Sequence, residues 1–192
     1  NEATIVERPI VNILEDGTKQ IKKPLVIDID FKFTIEYNKR MYNQNHAKMI
    51  IELYNKAIRK FIDFEDPKIS IAAYLFERDK PYKNTGFFKD GLHIVYPEII
   101  TDTKIQFLIR NEVIMNFNTV LNNKEYGEIP LVNSNIEDIV DKSVIEANGW
   151  FLYGCTKPYI EPYKLSHIYL SKYIDETNSY TLIEPQNKMT NA

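Results

Sequence analysis

Two aspartates set two residues apart in an apolar run are the first place in this chain where chemistry can be placed. In LVIDIDFKF, residues 25–33, Asp28 and Asp30 interrupt Ile27, Ile29 and Phe31. In an extended chain both carboxylates leave the same face, roughly 6–7 Å apart. Like charges held side by side on a half-buried surface cost energy unless a cation pairs them, and oxygen donors suit hard divalent ions such as Mg²⁺ or Mn²⁺. A solvated acidic sheet face is the alternative, although Asp is depleted from strands. His93, in GLHIVY, shares a strand face with Gly91 and Val95 and is able to donate to a phosphate, ligate a metal or move a proton. Asp141, just after Glu137 and Asp138, offers a third carboxylate. Lys157 stands in the turn GCTKP, where a flexible cation can reach phosphates. Taken alone, each has an ordinary reading too: a structural histidine, a helix-start acid, a solvent-facing turn lysine.

The elements that must hold these residues follow from hydrophobic period. Leu25, Ile27, Ile29, Phe31 and Phe33 alternate with polar or outward positions, which predicts a strand with one apolar face. From His46 to Ile62 the period becomes helical, with Ala47, Ile50, Ile51, Tyr54, Ala57, Ile58, Phe61 and Ile62 on one stripe. Residues 69–76 and 91–96 read as strands. Thr101 to Asn122 is a second helix, carried by Ile105, Leu108, Ile109, Val113, Phe117 and Val120, with Thr101 or Asp102 as N-cap. Asn135 to Glu146 is a weaker helical or turn segment. Residues 150–153 and 163–174 read as strands around a loop with Gly154, Pro158 and Pro162. Residues 1–23, with Pro9 and Gly17, read as an irregular lead-in. This order predicts an α+β domain with a mixed or antiparallel sheet backed by helices.

Composition narrows the classes. With 192 residues, 44% hydrophobic and 27% charged, the chain predicts one compact domain or at most two small ones, and excludes disorder as its main state. No apolar run reaches the ~18–20 residues of a membrane-spanning helix, and NEATIVERPI carries charge where a signal peptide is greasy. A soluble, non-secreted protein is expected. The single cysteine, Cys155, forms no internal disulfide and has no partner for a thiolate zinc site. The formal net charge of −3, from 24 Lys+Arg against 27 Asp+Glu, is unusual for a domain that holds nucleic acid unaided. Because the chain begins at Asn1, it is expected to be a piece of a longer protein. GxxxxGK[ST], GxGxxG, HExxH and GxSxG are all absent from it, which disfavours P-loop ATPases, dinucleotide enzymes, zincins and α/β-hydrolases.

The runs PLVIDIDFKF, KDGLHIVYP and IVDKSVIEANGWFLYGCTKPYIEPYKL, in this order, resemble the archaeo-eukaryotic primase domain at the N-terminal side of the primase-helicases of large eukaryotic DNA viruses. The resemblance spans about residues 24–170, and its last block is the most specific: D-x-S-V, N-G-W, L-Y-G-[small]-x-K-P, then P-Y-x-L. It implies an archaeo-eukaryotic primase fold, a mainly antiparallel sheet like that of RNA-recognition motifs, flanked by helices. It also implies roles. Asp28 and Asp30 match the hydrophobic-D-x-D motif of metal ligands, Gly91 and His93 match small-x-H, where the histidine contacts the nucleotide's phosphates, and Asp141 matches the third acid. Two departures stand out. Many members of the wider superfamily have serine where this chain has Gly91, and the viral pattern usually reads LYGS where this chain has Cys155.

The resemblance implies a DNA primase, a metal-dependent nucleotidyltransferase that joins nucleotides along a single-stranded DNA template. Two Mg²⁺ or Mn²⁺ ions held by Asp28, Asp30 and Asp141 suit the charge that develops on the attacking and leaving oxygens. His93 and Lys157, with Arg78, Lys83 and Lys89 as weaker candidates, would hold the triphosphate. The expected division is a lead-in over 1–23, a catalytic domain over 24–185 and a tail over 186–192, with a helicase domain on the same polypeptide. The site of action would be intracellular, where a virus replicates in its host cell. Three other readings stay open: a primer-extending or lesion-bypass polymerase of the same fold, a non-catalytic module that stacks single strands on some of its 13 Tyr and 10 Phe, and a DxD-type sugar-nucleotide transferase.

Overall fold

A computed structural model describes residues 6–7, 10–13, 15–17, 19–132, 135–146, 150–151, 160–175, 177 and 179–184. Two long strands form its spine, β3 (Lys19–Phe33) and β6 (Phe87–Asp102). They pair antiparallel from Lys22 opposite Asp102 to Phe33 opposite Phe88, with a register shift at Pro24/Leu25. Proline brings no N–H to a ladder, so an irregularity there is its natural place. Leu25, Ile27, Ile29, Phe31 and Phe33 are each at most 3% exposed, and full burial of such a side chain is worth ~1.5–3 kcal/mol. The predicted alternation is therefore the alternation of core and open face.

Around the spine lies an eight-stranded sheet. β2 (Ile10–Ile13) pairs with β3, β4 (Ile71–Glu77) with β6, β9 (Lys164–Ile174) with β4, and β10 (Ser179–Ile183) with β9. The short β5 (Tyr82–Asn84) adds to β6 and β7 (Val140–Asp141) to β3, and every pairing is antiparallel. β1 (Val6–Glu7) and β8 (Trp150–Phe151) make a separate two-stranded pair. The α+β class with an antiparallel sheet is thus as expected. The lead-in is not irregular throughout, because the β2–β3 hairpin, with Gly17 at φ +81 in its turn, joins the sheet.

Helices α1 (Gln44–Phe61) and α2 (Thr103–Asn116) contribute to the same core through Ala47, Ile50, Ile51, Tyr54, Ala57, Ile58, Ile109 and Val113. Asn43 caps α1 and Asp102 caps α2, each side chain taking orphan N–H groups of the first turn. The predicted second helix breaks at Phe117 into α2 and α3 (Asn118–Leu121). Its buried face also differs from the apolar stripe read from sequence: Leu108 is exposed while Gln106 and Arg110 are buried. Both polar residues reach backbone carbonyls, Gln106 those of Lys23 and Thr101, Arg110 those of Glu137 and Val140. The weak segment 135–146 resolves into α4 (Ile136–Ile139), β7 and α5 (Ser143–Glu146). Among the described residues no helix is long and apolar enough to cross a membrane.

Candidate functional site

In β3, Asp28 faces His93 of β6 on one side and Asp141 of β7 on the other, and Asp30 faces Gly91. Directly opposed residues project from the same face of a sheet, so these groups emerge opposite the side that buries Ile27, Ile29 and Phe31. One carboxylate oxygen from each of Asp28, Asp30 and Asp141 lies within 4.8 Å of the other two. The strand pairing brings together acids more than a hundred residues apart in sequence.

The surrounding side chains pair with and shift the carboxyls of this cluster. His93 Nε2 lies 3.3 Å from Asp28 Oδ1, and Lys89 Nζ lies 2.7 Å from Asp30 Oδ2. Burial pushes the Asp28 carboxyl up, but His93, Lys89 and Arg78 outweigh it and leave it below the usual carboxylate range. Asp30 goes the other way: burial and the Asp28 charge raise it, against the pull of Lys89. The two carboxyls therefore shift in opposite directions, as expected of two carboxylates sharing a small space. Asp141 is held differently, by the Ser143 N–H at 2.8 Å and the Ser143 hydroxyl at 2.7 Å, an Asx-type turn.

Asp28 Oδ1 is buried without a well-formed hydrogen bond, an arrangement that costs ~1–3 kcal/mol when nothing compensates it. Three carboxylates converging on one space, with only the 3.3 Å approach of His93 Nε2 beside Asp28 Oδ1, fit a hard divalent cation, which prefers oxygen ligands.

Behind the open face a second ionic group fixes the strand that carries His93. Arg40 donates to Asp90 from Nε at 2.9 Å, to Glu77 at 3.0 Å and to the Arg78 carbonyl at 2.6 Å. The Tyr42 hydroxyl lies 3.0 Å from both Glu77 Oε1 and the Gly91 carbonyl and shares its one hydrogen between them, while Asp90 accepts from the Gly91 N–H. Asp90 is fully buried, and an arginine fork of this kind satisfies a buried carboxylate in fixed geometry. Gly91 itself is required by the close approach of the strands, since a Cβ there would stand 2.0 Å from the Ile29 carbonyl oxygen. The serine of the wider superfamily does not fit this backbone.

The other expected site residues divide. Arg78 lies beside the cluster, its guanidinium 3.7 Å from the centre of the Tyr163 ring, and Tyr163 stacks on His93 with ring centres 3.5 Å apart. Lys89 is committed to Asp30. Lys83 is exposed on β5. Lys157 and Cys155 lie outside the described residues, as do residues 152–153 of the predicted 150–153 strand, the first half of which is β8. Sequence reasoning gave no role to Ser143, Tyr163, Arg110 or Arg40. The first two stood in the quoted D-x-S-V and P-Y-x-L runs, whereas nothing local marks the arginines.

The antiparallel sheet backed by helices, with three acids and a histidine on its open face, is an α+β architecture consistent with the archaeo-eukaryotic primase fold. Residues 2–169 match the family described as the C962R protein N-terminal AEP domain, AEP standing for archaeo-eukaryotic primase. The chain belongs to that family, the domain type found in viral primase-helicases. It is also 38% identical over 149 residues to a protein of Acanthamoeba polyphaga mimivirus named "Putative helicase", a match that covers 77% of this chain and 15% of that protein.

Proposed function

We propose that this domain is the nucleotidyl-transferring part of a viral primase-helicase and makes short primers on single-stranded DNA. The observation that carries the reading is the convergence of Asp28, Asp30 and Asp141 on one sheet face, one carboxylate oxygen of each within 4.8 Å of the others. The three carboxylates would hold Mg²⁺ or Mn²⁺, which when bound supplies positive charge to the attacking and leaving oxygens of phosphoryl transfer. His93, Arg78 and Lys157 bind the triphosphate of the incoming nucleotide, and Lys89 holds Asp30 in place until the cation arrives. The rigid ladder sets the acids before substrate enters, so little reorganisation remains to be done during the reaction. A chain of net charge −3 gains its local attraction for polyanions from the cation and from the rest of a longer polypeptide, in which the mimivirus relative's name points to a helicase portion. The catalytic unit runs to about residue 185, with 186–192 as a tail, and takes in the β2–β3 hairpin rather than starting at residue 24.

The test replaces Asp28 and Asp30 together by Asn. Nucleotide addition to single-stranded DNA from free triphosphates with Mn²⁺ should vanish, and so should the rise in melting temperature that Mn²⁺ gives the unaltered protein. A variant as active as the original discards the site. Activity that appears only with a preformed primer makes the domain an extending polymerase instead.

A further inference from the structure

Tyr163, immediately before β9, is sandwiched between the His93 ring and the Arg78 guanidinium. His93 stacks on one side, ring centres 3.5 Å apart and planes 25° apart, and the Arg78 guanidinium lies 3.7 Å from the ring centre. Both partners border the acid triad: His93 Nε2 is 3.3 Å from Asp28 Oδ1, and the Arg78 charge acts on the Asp28 carboxyl. The way Arg78 is held matters. It spends one donor, Nε, on the Glu161 carbonyl at 3.2 Å, and its backbone carbonyl is fixed by Arg40. Its Nη1 is buried with no hydrogen-bond partner. A guanidinium tied down by a carboxylate would have its fork filled, whereas one held by its flat face against an aromatic ring keeps the edge donors for another ligand. A buried, unpaired donor is costly, and a tetrahedral oxyanion is the ligand that relieves it beside a carboxylate cluster built for a cation.

We propose that Tyr163 is a positioning residue that clamps His93 and Arg78 into one phosphate-binding pair, with Arg78 Nη1 reserved for a phosphate oxygen of the nucleotide. This rests on the nucleotide-binding reading of the site above and adds how its phosphate-binding side chains are kept in register. The phenol ring does the work through its faces, so its hydroxyl is dispensable. Stacking of this kind is worth enough for its loss to cost roughly tenfold in phosphate affinity.

The experiment measures equilibrium binding of a non-hydrolysable nucleoside triphosphate, with Mn²⁺ present, to the intact protein and to Tyr163→Phe, Tyr163→Leu, Arg78→Lys and the Tyr163→Leu/Arg78→Lys double variant. Mn²⁺ binding without nucleotide is followed separately. The proposal expects Tyr163→Phe to bind within about twofold of the original, and Tyr163→Leu and Arg78→Lys each to lose roughly tenfold. It expects the double variant to lose little more than either single one, because lysine has no flat cation left to stack. Mn²⁺ affinity should be the same in all. Equal nucleotide affinity in Tyr163→Leu overturns the proposal, as do additive losses in the double variant or parallel losses of Mn²⁺ and nucleotide. If Tyr163→Leu fails to fold, Tyr163→Met and its double variant with Arg78→Lys supply the same coupling, because methionine fills the space without a ring face. Tight nucleotide binding without primer synthesis refutes the primase reading and leaves this one standing, and no nucleotide binding by the original protein refutes both.

Discussion

The acids of the candidate site are carried by two very different pieces of structure. Asp28 and Asp30 belong to a fifteen-residue strand, β3, paired along most of its length with sixteen-residue β6 and underlain by five buried apolar side chains. Asp141 belongs to a two-residue strand between two single-turn helices. Its segment is fastened by a few long-range ties: the pairing of Val140 with Ile29, Arg110 on the Val140 and Glu137 carbonyls, and Lys23 on the Val144 carbonyl. One region is held by apolar area, which is spread over many contacts. The other buries fewer apolar side chains, Ile139, Val140, Val144 and Ile145, and adds polar ties that single substitutions remove. The ladder should therefore fail globally when it fails, and the 136–146 segment locally.

The largest effect is expected at the ladder. In Gly91→Ala the added methyl carbon meets the Ile29 carbonyl oxygen at 2.0 Å, far inside contact distance and against backbone, so the two long strands must part. Overpacking against a rigid wall costs about 3 kcal/mol or more, and the strands that part are the ones carrying Asp28, Asp30 and His93. Urea unfolding should show that loss across the whole domain, with Mn²⁺ binding lost as well. A Gly91→Ala protein of unchanged midpoint would mean the ladder is looser than its burial implies.

Next comes Arg110→Ala. Arg110 is 4% exposed and gives the Val140 carbonyl two hydrogen bonds, at 2.9 and 2.6 Å. Removing the donors leaves a buried carbonyl unsatisfied, at about 2–3 kcal/mol. That cost should fall on the segment itself. Native-state hydrogen exchange should speed up at residues 136–146 while the β3 and β6 amides keep their protection, and Mn²⁺ affinity should drop with Asp28 and Asp30 still in place. Uniform acceleration over all strands would erase the contrast between the two regions.

The same contrast explains what was legible in the sequence. β3 announced itself because period-two alternation is a local signal, and its two acids could be read as co-facial from spacing alone. α1 was equally plain from its stripe. Asp141 could be singled out only by the family resemblance, because its place depends on pairing with a strand over a hundred residues away, which leaves no mark on neighbouring residues. The buried face of α2 was misread for a related reason. Apolar type placed Leu108 inside, whereas Gln106 and Arg110 are drawn inward by carbonyls of other segments. That this chain has Gly91 where many of the wider superfamily have serine is governed by a steric fact that needs the neighbouring strand to be seen.

The smallest expected effect tests the local region at finer grain. Ser143 gives Asp141 two hydrogen bonds from one residue, the backbone N–H and the hydroxyl. Ser143→Ala keeps the first and loses the second, so the turn survives and only one carboxylate oxygen is freed. Stability should fall by about 1 kcal/mol or less, since a part-exposed oxygen can turn to water. Divalent-ion affinity should still change, because the hydroxyl fixes the rotamer that points Asp141 toward Asp28 and Asp30, and outer partners of a metal-ligating carboxylate typically contribute ten- to hundredfold. An isothermal titration with Mn²⁺ should therefore separate the two quantities, with a nearly unchanged melting temperature beside a clearly weaker ion. If instead stability falls by several kcal/mol while ion binding is untouched, Ser143 is a fastening of the segment like Arg110, and Asp141 takes its orientation from the strand pairing alone.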